Sequence, residues 1–98
     1  MTILDISEAA LQEIADIVDY IAAVNPDAAD RARDAIFQAC RRLAERPGLG
    51  HARPDLTELP LRFLTVWRRY MIAYRAREKR VEIVRVFGPG RDVSRLLR

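Results

Sequence analysis

The chain is 98 residues long and half of it is apolar, which suffices for one compact domain over residues 1–98 and excludes two separate cores. Its single cysteine, Cys40, excludes an intramolecular disulfide, and no apolar run approaches the ~18 residues that a membrane span requires. The net charge is only +3, but residues 1–30 carry seven acidic and no basic side chains, while residues 31–98 carry seventeen basic and seven acidic ones.

That asymmetry points to an anionic partner, either nucleic acid or an acidic protein segment, unless the two parts neutralise each other within the fold. Sixteen of the seventeen basic residues are arginine, which favours planar, bidentate contacts. The acidic start, with Asp5, Glu8, Glu13, Asp16 and Asp19, is unlike the basic start of a secretory signal, so a soluble, cytoplasmic protein is expected.

Residues 2–6, Thr-Ile-Leu-Asp-Ile, predict a short strand that ends at Ser7, a favourable N-cap with Glu8 behind it in the first helical turn. Leu11, Ile14, Val18 and Ile21 recur at spacings of three and four and predict an amphipathic helix to about Val24. Asn25-Pro26 breaks that helix and starts another, because Asn caps well and Pro is tolerated at the first helical position. The second helix runs from about Pro26 to Glu45, with Ala29, Ala32, Ile36, Cys40 and Leu43 on its buried stripe and Asp27 and Arg31 as an exposed pair four residues apart. Joined this tightly, the two helices form an antiparallel hairpin.

Arg46-Pro47-Gly48-Leu49-Gly50-His51, with Pro54 and Pro60 beyond it, marks a loop of more than a dozen residues. Leu61 to Trp67, Tyr70 to Arg77 and Val81 to Phe87 are alternating β-rich runs separated by charged turns, which predict a three-stranded antiparallel meander. Gly88-Pro89-Gly90 ends the last strand, and Asp92 to Leu97 form a short C-terminal helix that places Leu96 and Leu97 on the core. No element can bury its apolar face alone. The expected fold is therefore α+β in the order β-α-α-β-β-β, with the helical hairpin packed on one side of a small, mainly antiparallel sheet of four strands. Alternation places most of Phe63, Trp67, Tyr70 and Tyr74 in the core, although aromatics on an open sheet face can also stack nucleobases. Cys40 reads as a small buried hydrophobe, and with no metal, nucleotide or flavin motif in the chain, neither a metal nor a cofactor is expected.

Several short motifs occur in a characteristic order over nearly the whole chain. They are Ala10-Leu11-Gln12-Glu13-Ile14 leading to Tyr20-Ile21-Ala22, then Asn25-Pro26 with Ala28-Ala29, then Leu43, Pro47, Gly50, Arg53 and Leu56. Arg62, Tyr70-Met71-Ile72-Ala73-Tyr74-Arg75 and Val81-Glu82-Ile83-Val84-Arg85-Val86 follow, running into Gly90-Arg91-Asp92. In this order the chain resembles the ParE/RelE toxins of bacterial type II toxin-antitoxin pairs. RelE-like members resemble ribonucleases that cut messenger RNA on the ribosome and usually carry an Arg-x-Gly-Asp-Tyr-Arg pattern. Here Val66-Trp67-Arg68-Arg69-Tyr70-Met71 lacks both the Gly-Asp and the Arg after Tyr, and no Tyr follows Arg91. The chain is more similar to the ParE-like branch, which implies a non-catalytic poison of DNA gyrase that blocks replication. It departs from that branch at Gly88-Pro89-Gly90, where many members place a His-Gly pair.

The resemblance also implies a cognate ParD-like antitoxin whose disordered, acidic tail folds onto the basic second half and the apolar grooves beside the helical hairpin. Operator DNA would be met only through that antitoxin, and plasmid stabilisation is the biological role implied. An open sheet edge would let such a partner add a strand or dock a helix. Contacts to target or antitoxin are expected at Arg53, Arg62, Tyr70, Arg85, Arg91 and Asp92. Under the ribonuclease alternative, His51 would act as general base, with Arg85 and Arg91 clamping the phosphate. A loop histidine is more often merely solvated, however, and Arg91 can instead pair with Asp92 or an acid of the first helix. A third reading is a non-toxic binding domain of the same fold.

Overall fold

In the computed structural model, which describes residues 2–97, the chain runs β1 (Ile3–Ile6), α1 (Glu8–Ala22), α2 (Pro26–Glu45), a 3-10 turn (Pro47–Leu49), β2 (His51–Ala52), β3 (Arg62–Val66), β4 (Tyr70–Arg77), β5 (Arg80–Phe87) and α3 (Val93–Leu96). Every expected element is present, with ends within two residues of those read from the sequence. The sheet order is β1-β5-β4-β3-β2, with β1 parallel to β5 and every other pair antiparallel. The sheet thus has five strands rather than four. The added one, β2, comes from the loop after α2, where His51 pairs with Phe63 and Ala52 with Arg62. Two residues that follow Gly50 and end one residue short of Pro54 carry too little pattern to be read as a strand.

Local chemistry explains the helix ends. The Ser7 hydroxyl accepts from Ala10 N at 3.0 Å, capping α1, and donates to Val84 O on β5 at 2.7 Å. Asn25 Oδ1 accepts from Ala28 N at 3.1 Å, with Pro26 at the start of α2. The predicted stripe of α2, Ala29, Ala32, Ile36, Cys40 and Leu43, is buried throughout. On α1 the buried positions are Ala10 and Ile14, and Leu11 is left exposed. On the outer face of α2 the ion pairs differ from expectation, because Arg33, not Arg31, meets the acids, at 3.6 Å from both Asp30 and Asp34.

The helical hairpin covers one sheet face and buries Ile36, Cys40, Leu43, Ile72, Tyr74, Val81, Ile83 and Val86 in the main core. A smaller cluster of Leu61, Phe63, Ala73, Phe87 and Leu97 covers the other face, with Leu56, Met71, Val93 and Leu96 packed against it. The short α3 and the loop before β3 therefore close the side that the hairpin leaves open. Burial raises the Cys40 thiol pKa from 9.0 to about 11, as expected of a small side chain sealed in apolar surroundings.

The loop after α2 is bolted down by two residues of the meander. Tyr74, fully buried, donates its hydroxyl to Pro47 O at 2.5 Å and accepts from Gly50 N at 2.9 Å. Arg62 donates to Gly50 O at 2.6 and 3.1 Å and to Gly48 O at 3.4 Å. Glycine is required at position 50, where a Cβ would stand 2.6 Å from Tyr74 Cε1 and 2.7 Å from Phe63 O.

Candidate interaction surface

A groove of about 700 Å³ lies between the outward face of α1 and the ends of β4 and β5. Ile17, Tyr20 and Ile21 form its helical wall, and Tyr70, Phe87 and Pro89 line the sheet side. At its helical end Tyr20 and Val24 are 82 % and 88 % exposed, an apolar pair that none of the described residues covers. The rim carries both signs of charge. Asp16 and Glu13 lie on the helix side, and Arg69 and Arg91 stand on the sheet side.

Glu13 builds one end of this groove. Strand β1 pairs with β5 only from Arg80 to Ile83, so the β5 edge beyond Ile83 needs other partners. Side chains of α1 supply them, as Ser7 takes Val84 O and the Glu13 carboxylate accepts from Val86 N at 2.9 Å. The β4–β5 register jumps by one at Ala73/Tyr74, so Val84 is an extra residue in β5 and the strand bulges there. From this bulge Arg85 lays its guanidinium 5.2 Å over the Phe87 ring and forks onto Glu13 at 2.7 to 3.1 Å, with a further bond to Leu96 O at 3.3 Å. The hydrogen bonds to Glu13 raise the Arg85 pKa further above its ordinary value. Arg85 is thus the rivet that joins α1, β5 and α3.

The other predicted site residues fall into two groups. Tyr70 and Arg91 line the groove, and Arg85 holds Glu13, which lines it too. Asp92 caps α3, accepting from Arg95 N at 3.2 Å. Arg53 and Arg62 lie toward the opposite sheet edge. Arg62 clamps the loop, and Arg53 forks onto Asp55 at 2.8 and 2.9 Å, which raises the pKa of Arg53 and lowers that of Asp55. His51 stands exposed on β2 at that edge. Of the four aromatics, Phe63, Tyr70 and Tyr74 are buried, and Trp67 is 52 % exposed.

Glu13, Ile17, Tyr20, Val24 and Arg69 were not among the site residues expected from the sequence, although Glu13 and Tyr20 stand in the motifs that carry the family resemblance. A signal for three of them existed, because Ile17, Tyr20 and Val24 follow each other at helical spacing and make a second apolar stripe beside the one that packs on the sheet. Glu13 gives no local signal, since its partners lie 72 and 73 residues away. Among the described residues, no helix is long and apolar enough to cross a membrane, and no cluster of three or more His, Cys, Asp or Glu could hold a metal ion.

A helical hairpin on a small mixed sheet, with an apolar groove rimmed by charge, defines a compact α+β domain. The model of the family described as the ParE toxin of the type II toxin-antitoxin system, parDE, matches residues 4–93, and the chain belongs to this family. A chain in the solved structure of the chromosomal ParDE TA system from P. aeruginosa is similar to it, with a TM-score of 0.75 at 25 % identity, covering 91 % of this chain and 97 % of that one. No curated protein sequence matches the chain.

Proposed function

We propose that this ParE-family toxin inhibits DNA gyrase, halts replication without catalysing a reaction of its own, and is held silent in the cytoplasm by a ParD-like antitoxin. Membership of the ParE family over residues 4–93 carries this reading. The geometry supports its non-catalytic part. RNA cleavage needs a base, an acid and cations within hydrogen-bond reach of one phosphate. His51 on β2 and Arg85 on β5 are three strands apart, about 14 Å across the sheet, and the Arg85 guanidinium is already committed to Glu13. Arg91 lies beyond the end of β5, at the groove.

Under this reading the groove along α1 is the seat of the antitoxin tail. A segment with apolar side chains spaced to meet Ile17, Tyr20 and Val24, and with acids aimed at Arg69 and Arg91, complements it in both shape and charge. Operator DNA is then reached only through the antitoxin, and a resident plasmid is stabilised by the pair.

Induction of the chain alone in a bacterium, with labelled precursors of DNA and protein followed in time, tests the reading. DNA synthesis should fall first, and purified protein should leave gyrase trapped on cleaved plasmid. Protein synthesis falling first would replace the proposal with ribosome-dependent RNA cleavage, and unimpaired growth would mean that this member is not toxic.

A further inference from the structure

The turn between β3 and β4 is built against backbone preference. Arg69 N donates to Val66 O at 3.1 Å, and the two residues inside that turn, Trp67 and Arg68, have φ of 55° and 57°. Both have the positive φ of the left-handed region, where a Cβ crowds the following carbonyl, and such positions are ordinarily filled by Gly, Asn or Asp. A turn that only reversed the chain would need neither an indole nor a guanidinium there. What the conformation achieves is display. Trp67 remains half-exposed while the buried Tyr70 backs it, with ring centroids 6.3 Å apart and planes tilted by 53°. Arg68 and Arg69 follow directly, and Arg91 lines the same groove as Arg69. No carboxylate among the described residues forms an ion pair with any of these three arginines.

We infer that this tip binds single-stranded nucleic acid, Trp67 stacking on an unpaired base while Arg68, Arg69 and Arg91 hold the flanking phosphates. An acidic protein segment would satisfy the arginines but make no use of an exposed indole. A duplex keeps its bases stacked on one another and offers only its phosphates. A single strand offers a π face and phosphates together, which is the pairing on which sequence-tolerant strand binding rests. The inference goes beyond gyrase inhibition, since it concerns a direct contact between toxin and strand and is tested with gyrase absent.

Trp67 is the only tryptophan of the chain, so its emission reports the contact directly. The full chain is titrated with an oligothymidine of about 12 nucleotides, a duplex of the same length and polyglutamate, at several salt concentrations. Saturable quenching by the oligothymidine is expected, weaker with the duplex and absent with polyglutamate. Its affinity should fall with salt at a log–log slope of about −2, as three phosphate contacts on a single strand dictate. Arg68→Ala with Arg69→Ala should flatten that slope to about −0.7. Trp67→Leu, followed by anisotropy of a labelled strand, should weaken binding by about fivefold or more. Replacing Trp67 and Arg68 by Asn-Gly relieves the backbone, so that variant should melt higher than the parent and still lose binding, which separates the effect from misfolding. The inference is overturned if the oligothymidine does not quench, if polyglutamate binds as tightly, or if the stabilised Asn-Gly variant binds the strand as the parent does.

Discussion

Replacing Glu13 by Ala removes one carboxylate that two distant partners share. Val86 N loses an acceptor at 2.9 Å, and the Arg85 guanidinium loses three contacts between 2.7 and 3.1 Å. A backbone N–H left without a partner costs about 1 to 3 kcal/mol when buried, and the broken fork adds to that. The Arg85 and Glu13 side chains keep 25 % and 19 % of their exposure, so water compensates part of the loss. The expected destabilisation is about 2 to 3 kcal/mol out of a total of about 5 to 15, or a melting temperature lowered by roughly 8 to 24 °C. Glu13→Gln keeps an oxygen for Val86 N and loses only the charge, so it should cost about 1 kcal/mol. Urea unfolding followed by far-UV circular dichroism measures all of these, and a cycle with Arg85→Ala should show coupling of about 1 kcal/mol or more. If the Glu13→Ala and parent stabilities agree within about 0.5 kcal/mol, Glu13 does not cap the β5 edge and Arg85 is free to meet an anionic ligand. If the cap is real, toxicity lost in Arg85→Ala should follow the folded fraction rather than exceed it.

Gly50→Ala drives a Cβ into Tyr74 and the Phe63 carbonyl, neither of which can yield, and should cost about 2 to 4 kcal/mol in the same urea assay. Gly48→Ala, with nothing within 4 Å, should stay within about 0.5 kcal/mol of the parent; equal effects at the two glycines would refute the packing described for the loop. Because the Cys40 thiol ionises at about 11 when folded and near 9.0 otherwise, the unfolded chain releases that proton first. Stability should therefore decline as pH rises from 9 toward 11, by about 2 to 3 kcal/mol relative to Cys40→Ala, and parallel pH curves for the two proteins would contradict the burial. Tyr20→Asp and Val24→Asp change exposed side chains and should leave the urea midpoint unmoved while weakening antitoxin binding tenfold or more, on the order of 1.4 kcal/mol, in a calorimetric titration. Unchanged antitoxin affinity in both variants would place its seat elsewhere.

The elements were legible because each carries its own local chemistry. Ser7 and Asn25 announce helix starts, helical spacing marks the buried stripe of α2, and alternation identifies three of the five strands. What could not be read depends on pairing across the chain. Strand β2 exists only because β3 supplies its partners, and the Val84 bulge only because β4 and β5 slip by one residue. The same reason hid the roles of three predicted site residues. Arg62, Arg85 and Asp92 resemble free polar groups in sequence, yet one clamps a loop 12 residues back, one rivets a helix 72 residues back and one caps α3. Tyr70 and Arg91 do come together at the groove, but the wall opposite them, Ile17 and Tyr20, was masked by the stronger stripe of Leu11, Ile14, Val18 and Ile21.

The acidic opening and the basic remainder of the chain do not cancel inside the fold. Among the described residues, only Arg80 with Asp5 and Arg85 with Glu13 tie the two across more than 70 residues; the other ion pairs join neighbours in the chain or, for Arg75 and Glu82, neighbours across a hairpin. The surplus cations therefore face outward, and three of them, Arg68, Arg69 and Arg91, gather at one end of the sheet. The groove runs between that basic end and an acidic helix, so a partner of uniform negative charge would be attracted by one wall and repelled by Asp16 on the other. A segment that fills the whole groove satisfies both walls at once when its acids lie along one side, whereas a strand held at the basic tip alone does not meet Asp16. If the antitoxin tail sits in this groove as proposed, apolar contact with Tyr20 and Val24 would supply affinity in either orientation, whereas the opposed charges of the rim would select one.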